Sequence, residues 1–214
     1  QDQLLRTAGQ WIERSWANAE ITTSAGRREL WQEVVANGWA GMLETGVGAA
    51  TLLDAALLVE QLALGGCSLP VVGSGLVAPL VVEAGGVDAG VGNLGLLAFE
   101  VADSVQPSAR GLEIADTAVA VRWTIDNGRR LWEAAAIPID GAAGLTALQT
   151  EDRYLLSCFA DSDTLPTAAW EPVDSAAMER IWRIGAVLSA AELVGLARSV
   201  LDRCVEYAGV RVQG

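Results

Sequence analysis

The chain has 214 residues, 51% hydrophobic and 19% charged, with a net charge of -13 and an isoelectric point near 4.3. Histidine is absent, and all 14 basic residues are Arg because no Lys occurs. These absences exclude Ser-His-Asp and Cys-His catalysis, His metal ligation, Schiff-base lysines and phosphate loops ending in Lys-Ser/Thr, so carboxylates, thiols and phenols are the proton carriers left.

Residues 1–90 read as an N-terminal helical domain. Leu4, Leu5, Ala8, Trp11 and Ile12 recur at helical spacing. Leu30, Val34 and Val35 mark a second helix, with Gly38 as its stop. Leu52 to Leu64 forms a third, closed by Gly65-Gly66, and Gly73 to Ala84 a shorter fourth. Trp11, Trp31 and Trp39 belong to the core at this spacing.

Residues 91–173 change texture and read as a middle antiparallel β domain. Short β-type runs cover Leu94 to Phe99, Ala118 to Ile125, Leu131 to Ile139 and Tyr154 to Phe159. Asp126-Asn127-Gly128 is a hairpin signal, because Asn and Gly tolerate positive φ. Gly90-Val91-Gly92-Asn93-Leu94-Gly95 spells G-x-G-x-x-G, but a helix precedes it and a strand follows. Dinucleotide binding needs the opposite order, so the motif reads as a connecting loop.

Residues 174–214 return to helix. Val187, Ala190, Val194, Ala197, Leu201, Cys204 and Ala208 form one stripe, and Arg198 and Asp202 are spaced to pair. Such a helix is half of an interface and implies partner helices. The fold class is therefore α+β: helical domain, β domain, then the long first helix of a C-terminal helical bundle.

The acidity argues against nucleic acid and anionic membrane as partners. The longest apolar stretch, Leu69 to Val82, is broken by Pro and Gly and is too short to span a membrane. The N-terminus Gln-Asp-Gln opens no signal core. Cys67, Cys158 and Cys204 are widely separated, which fits buried free thiols in a reducing, cytoplasmic setting. Asp161-Ser162-Asp163 lacks the Gly and Glu of a calcium loop, and no metal site is expected.

The run AVLSAAELVGLARSVLDRCVEYAGVRVQ, Ala186 to Gln213, resembles the long helix that opens the C-terminal domain of acyl-CoA dehydrogenases. That family carries A-A-E-x-x-G-x-A-x-x-x-L-D followed by Y-A-x-x-R-x-Q-F-G. The matching residues are Ala190, Ala191, Glu192, Gly195, Ala197, Leu201, Asp202, Tyr207, Ala208, Arg211 and Gln213. Glu29 to Leu43 resembles the family's helix before its Gly-rich loop, and Leu52 to Val71 its following helix, so the likeness covers nearly the whole chain.

The resemblance implies FAD-dependent α,β-desaturation of an acyl-CoA thioester: a Glu removes the α-proton while a β-hydride passes to the flavin. It assigns Arg211, with Gln213 beside it, to the FAD pyrophosphate across a subunit interface, a contact suited to guanidinium geometry. Other positions depart from the pattern. Around Ala98 to Ser104 only Glu100 survives of the family's flavin-facing motif, and Gly214 replaces its F-G. In the family the commoner position of the base lies on helices that follow this one. The alternative site on the long helix, about 26 residues before the motif Arg, is Gly185, and Glu179 lies nearly two turns earlier. The catalytic residue is thus unassigned.

Two readings follow within the family: a subunit of a larger dehydrogenase, or a non-catalytic partner supplying interface and part of a flavin site. The resemblance includes mixed assemblies that act on steroid side-chain thioesters, so a homologous subunit in a homo- or hetero-oligomer is the expected partner. A flavin-free helical interaction protein is the reading from a different class.

Overall fold

In the computed structural model the described residues are 1–19, 21, 23–45, 50–90, 92–100, 108–139, 145–148, 157–160 and 169–210. Three helices open the chain: α1 (Asp2–Arg14), α2 (Ser24–Ala36) and α3 (Leu52–Leu64). Thr23 caps α2 by accepting the Gly26 N–H, and a capping box of Thr51 and Asp54 starts α3. Trp11, Trp31 and Trp39 are buried as their spacing requires; the Trp11 ring meets Trp39 edge-on at 5.6 Å, and its indole N–H donates to Glu33 at 2.7 Å.

The fourth helical segment departs from a regular α-helix. Val71–Val77 is a π-helical turn that runs into α4 (Ala78–Gly85). Pro79 explains this locally. In an α-helix its N–H would serve the Gly75 carbonyl, and proline has none. The Gly75 oxygen instead accepts the Gly41 N–H at 2.7 Å, from the chain that follows α2.

The middle of the chain forms β1 (Leu94–Glu100), β2 (Ser108–Arg110), β3 (Thr117–Asp126), β4 (Arg129–Pro138), β5 (Leu145–Leu148), β6 (Ser157–Ala160) and β7 (Glu171–Val173). A four-stranded sheet runs β1-β3-β4-β7, and β2-β6-β5 forms a second of three strands. The first sheet is mixed rather than wholly antiparallel: β1 and β3 run parallel, with Leu94 opposite Thr117. A local turn joins only antiparallel neighbours, and the long connection from β1 to β3 is the crossover a parallel pair needs. Where a tight turn exists, the expectation holds. Asn127 (φ 49°) and Gly128 (φ 77°) close the β3–β4 hairpin with Asp126 opposite Arg129.

Both faces of β3 are covered. Ala118 and Ala120 pack with Leu97, Leu112 and Ile137, whereas Val119 and Val121 face α4 and the start of the last helix through Val81, Met178 and Ile181. Gly92 and Asn93 lead directly into β1, which begins at Leu94, and a Cβ on Gly95 would press against Ala115 at 3.1 Å. The third glycine of that motif thus serves sheet packing.

The last helix, α5 (Ser175–Val210), has 36 residues and begins on Asp174, whose carboxylate accepts the Ala177 N–H at 2.8 Å. Its buried row is Met178, Ile181, Leu188 and Gly195, set against α3, α4 and the sheet. The stripe singled out from sequence lies on other sides: Val187, Val194 and Leu201 are exposed. Arg198 bonds Glu60 on α3 instead of pairing with Asp202. Cys67 is buried as expected, but Cys204 is exposed because residues 201–210 all face outward. Among the described residues α5 has the length and apolar composition of a membrane span. That carries little weight for a helix whose inner face packs on α3.

Candidate functional site

A cleft of about 510 Å³ opens where three parts of the fold meet. Leu69, Pro70, Val72, Gly73 and Val77 form one wall, from the π-helical turn and the chain before it. Leu96 and Ala98 of β1 form the second. The third is a single face of α5, with Ile181, Trp182, Gly185, Ala186, Ser189 and Glu192 at steps of one and three. Apolar clefts of this size with a few polar groups are the usual form of small-molecule sites.

The two ends of the α5 wall differ. At one end Trp182 joins an aromatic cluster by tilted and edge-on contacts, 5.7 Å from both Trp123 and Trp132, which are 5.2 Å from each other. The Arg130 guanidinium lies 5.9 Å from the Trp123 and Trp132 rings. The buried indole nitrogens of Trp123 and Trp132 find no hydrogen-bond partner among the described residues. At the other end Glu192 borders both the cleft and a small void against α3, shared with Val59, Leu62, Ala63 and Cys67. Burial pushes the Cys67 thiol up to about 12, and the nearby Glu192 charge adds to the rise.

The sequence-derived site residues fall unevenly on this geometry. Arg211 and Gln213 lie outside the described residues. Gly185 lines the cleft, so the family's alternative base position does face a cavity, but it carries no carboxylate. Glu179 is exposed and pairs with Arg183 at 3.5 Å, one turn along the helix. Glu192 is the one titratable side chain among the described residues lining the cleft. In the sequence Glu192 stands out only as the Glu of the A-A-E motif, with nothing local to mark it as a cleft residue. The available signal was the 182-185-189-192 row, where Ser189 and Glu192 interrupt an otherwise apolar or small face.

Asp116, directly before β3, is an anchor. Its carboxylate accepts the Asn93 N–H at 2.9 Å and the Arg28 guanidinium at 2.7 Å, and these two bonds hold its pKa below the usual carboxylate range. It ties α2 to the start of the sheet. No group of His, Cys, Asp and Glu able to hold a metal occurs among the described residues.

No protein-family model matches the sequence, and no curated protein matches it significantly. Solved structures do match. The steroid ACAD Tcur3481-Tcur3483 superposes with a TM-score of 0.67 at 18% identity, over 99% of this chain and 67% of that one. A glutaryl-CoA dehydrogenase from Mycobacterium smegmatis, solved with FADH2, gives 0.63 at 17% identity, over 99% and 66%. The ChsE4-ChsE5 complex from Mycobacterium tuberculosis gives 0.61 at 16% identity, over 98% and 68%. This chain thus spans about two thirds of each neighbour's length. With the element order and the α3–α5 pairing in place over nearly every residue, the chain has the fold of the acyl-CoA dehydrogenases.

Proposed function

We propose that the chain is a subunit of a flavin-dependent acyl-CoA dehydrogenase, acting within a homo- or hetero-oligomer in the cytoplasm to desaturate an acyl-CoA thioester between its α and β carbons. The observation that carries this reading is the apolar cleft between β1, the π-helical turn and α5, set in that fold. Its walls fit an acyl chain or a planar ring. Among the described residues they hold no cation, and in this reading Arg211 meets the FAD pyrophosphate, with Gln213 beside it. FAD, when bound, supplies the hydride acceptor. The residues of this chain bind the acyl chain along α5 and keep water from it. Residues 1–90, 91–173 and 174–214 are taken as the helical, β and C-terminal parts of the subunit.

The neighbours named as pairs, Tcur3481-Tcur3483 and ChsE4-ChsE5, support a mixed assembly with a homologous chain. A second reading, a non-catalytic partner that completes another subunit's site, is favoured by one observation: Gly185 faces the cleft without a carboxylate. A visible flavin spectrum separates the readings, taken on the chain alone and after co-expression with its genomic neighbour. Flavin held by this chain alone would defeat the partner-only reading. Flavin in the complex alone supports a shared site. None in either sinks the flavoprotein reading and leaves a helical interaction protein.

A further inference from the structure

A glycine inside a helix costs up to about 1 kcal/mol relative to alanine, so an internal glycine calls for a reason. At Gly195 the reason is close packing, because a Cβ there would collide with the Glu60 backbone. Gly73, in the π-helical turn, and Gly185, in α5, have no such reason. A Cβ on Gly73 would meet only Leu96, at 3.7 Å, and one on Gly185 only Val77, at 3.4 Å, both ordinary contacts. Neither glycine has a positive φ that would bar a side chain. What the two share is the cleft, which they line from two different walls.

We infer that Gly73 and Gly185 are specificity residues, which keep the cleft wide enough for a rigid apolar ring system rather than a single straight chain. An apolar cavity of about 150 Å³ holds one benzene ring, and the cleft, at about 510 Å³, has room for roughly three. An extended chain is one methylene wide and leaves part of the walls without partner atoms, whereas a flat fused-ring framework touches two walls at once. Trp182, half-exposed at one end of the α5 wall, adds an aromatic surface for such a framework. The side chains that line the cleft from the π-helical turn and β1 are all apolar, so the rings they meet are hydrocarbon. Joined to the dehydrogenase reading, on which this step rests, the substrate class becomes thioesters whose acyl group carries a fused-ring system.

The test uses phenanthrene-9-methanol, a flat three-ring alcohol, and 1-decanol, a straight chain that is no less hydrophobic. Binding is followed by calorimetry on the purified chain or its co-expressed complex, and neither probe needs flavin or CoA. Wild type is expected to bind the ring alcohol about ten-fold more tightly than 1-decanol. Gly73→Leu and Gly185→Leu should each weaken the ring alcohol by about ten-fold or more and change 1-decanol by less than about three-fold, the range that one misplaced apolar group covers in a pocket. Gly73→Ala and Gly185→Ala keep the test decisive should a Leu variant not fold. Their Cβ atoms meet only ordinary contacts, and each should weaken the ring alcohol by about three-fold with 1-decanol unchanged. A wild type with no ring preference, or Ala variants with undiminished ring binding, overturns the inference. Absence of flavin sinks the dehydrogenase reading without touching the probe ranking, and a flat ranking in a flavin-loaded complex sinks the glycine inference alone.

Discussion

Gly195 on α5 lies directly against the backbone of Glu60 on α3. A Cβ built at residue 195 would collide with the Glu60 carbonyl oxygen and lie 2.8 Å from the Ala63 Cβ and 3.0 Å from the Leu64 nitrogen. The two helices meet at this point because neither can be displaced by a side chain. The Arg198–Glu60 ion pair closes the seam one turn later.

Gly195→Ala should therefore destabilise the fold by about 1–3 kcal/mol, the usual cost of overpacking against backbone that cannot yield. Gly209→Ala is the control, since nothing lies within 4 Å of a Cβ there. It should gain up to about 1 kcal/mol from helix propensity. Urea denaturation of the two variants against wild type measures both signs. Equal stabilities would mean that α3 and α5 are not held at this distance.

The seam also explains what could be read in advance. Asp126-Asn127-Gly128 was legible because a two-residue turn is a local event, and Asn127 and Gly128 take the backbone angles their chemistry permits. The parallel β1–β3 pair was not, because no turn residue encodes a pairing made across a crossover. On α5 the helix was plain but its inner face was not. Apolar residues occur all round it, so periodicity alone cannot choose between the Val187–Val194–Leu201 row and the Met178–Ile181–Leu188–Gly195 row. Gly195 decides by allowing close approach. The cleft was invisible for a similar reason: its walls come from three separate stretches, and only folding brings Glu192 toward Leu69.

The thiols should behave in opposite ways. Cys204 is exposed on α5, while Cys67 is buried with its pKa pushed up to about 12 by desolvation. Brief alkylation at pH 8 followed by peptide mapping should label Cys204 and leave Cys67 untouched until the chain is unfolded. The raised value also has a pH consequence. A thiol kept neutral stabilises the fold in full below the ordinary value of 9.0, and that contribution is lost as pH rises toward about 12. Native labelling of Cys67 as fast as Cys204 would contradict its burial.

Asp116 gives the acid-side counterpart. Its pKa is lowered first by the Asn93 N–H and then by Arg28. The anchor thus contributes fully above the ordinary value of 3.8 and fades as pH falls through the lowered folded value. Both side chains of the ion pair are more than a third exposed, so the effect of Asp116→Asn at pH 7 should stay near or below about 1 kcal/mol. Thermal melts of wild type and variant from pH 7 to pH 3 should converge toward the acid end. A constant gap across that range would assign the anchor to packing rather than charge.

Arg211→Ala tests the proposed pyrophosphate contact. If guanidinium geometry holds the flavin, the variant should lower flavin per complex several-fold, read as the absorbance ratio of flavin to protein. Its far-UV circular dichroism and melting temperature without flavin should match wild type. Arg211→Lys should recover occupancy only in part, because an ammonium cannot make the paired bonds. Unchanged occupancy in the Ala variant would remove Arg211 from the site.

The outer face of α5 supplies the last test. Leu193, Val200, Leu201, Val205 and Val210 are each more than half exposed on one 36-residue helix, an apolar surface larger than isolated soluble domains usually show. In the proposed assembly this face meets helices of a homologous subunit. Leu201→Asp removes little from the chain itself, since Leu201 is 61% exposed, and its stability should change by about 0.5 kcal/mol or less. At the interface the same change buries an unpaired carboxylate, which should weaken association by at least ten-fold. Co-purification with a tagged genomic neighbour, alongside sedimentation of the chain alone, reads both quantities. Undiminished co-purification of Leu201→Asp would move the partner to another surface, and a collapse in the variant's own stability would mean that the chain already buries this face.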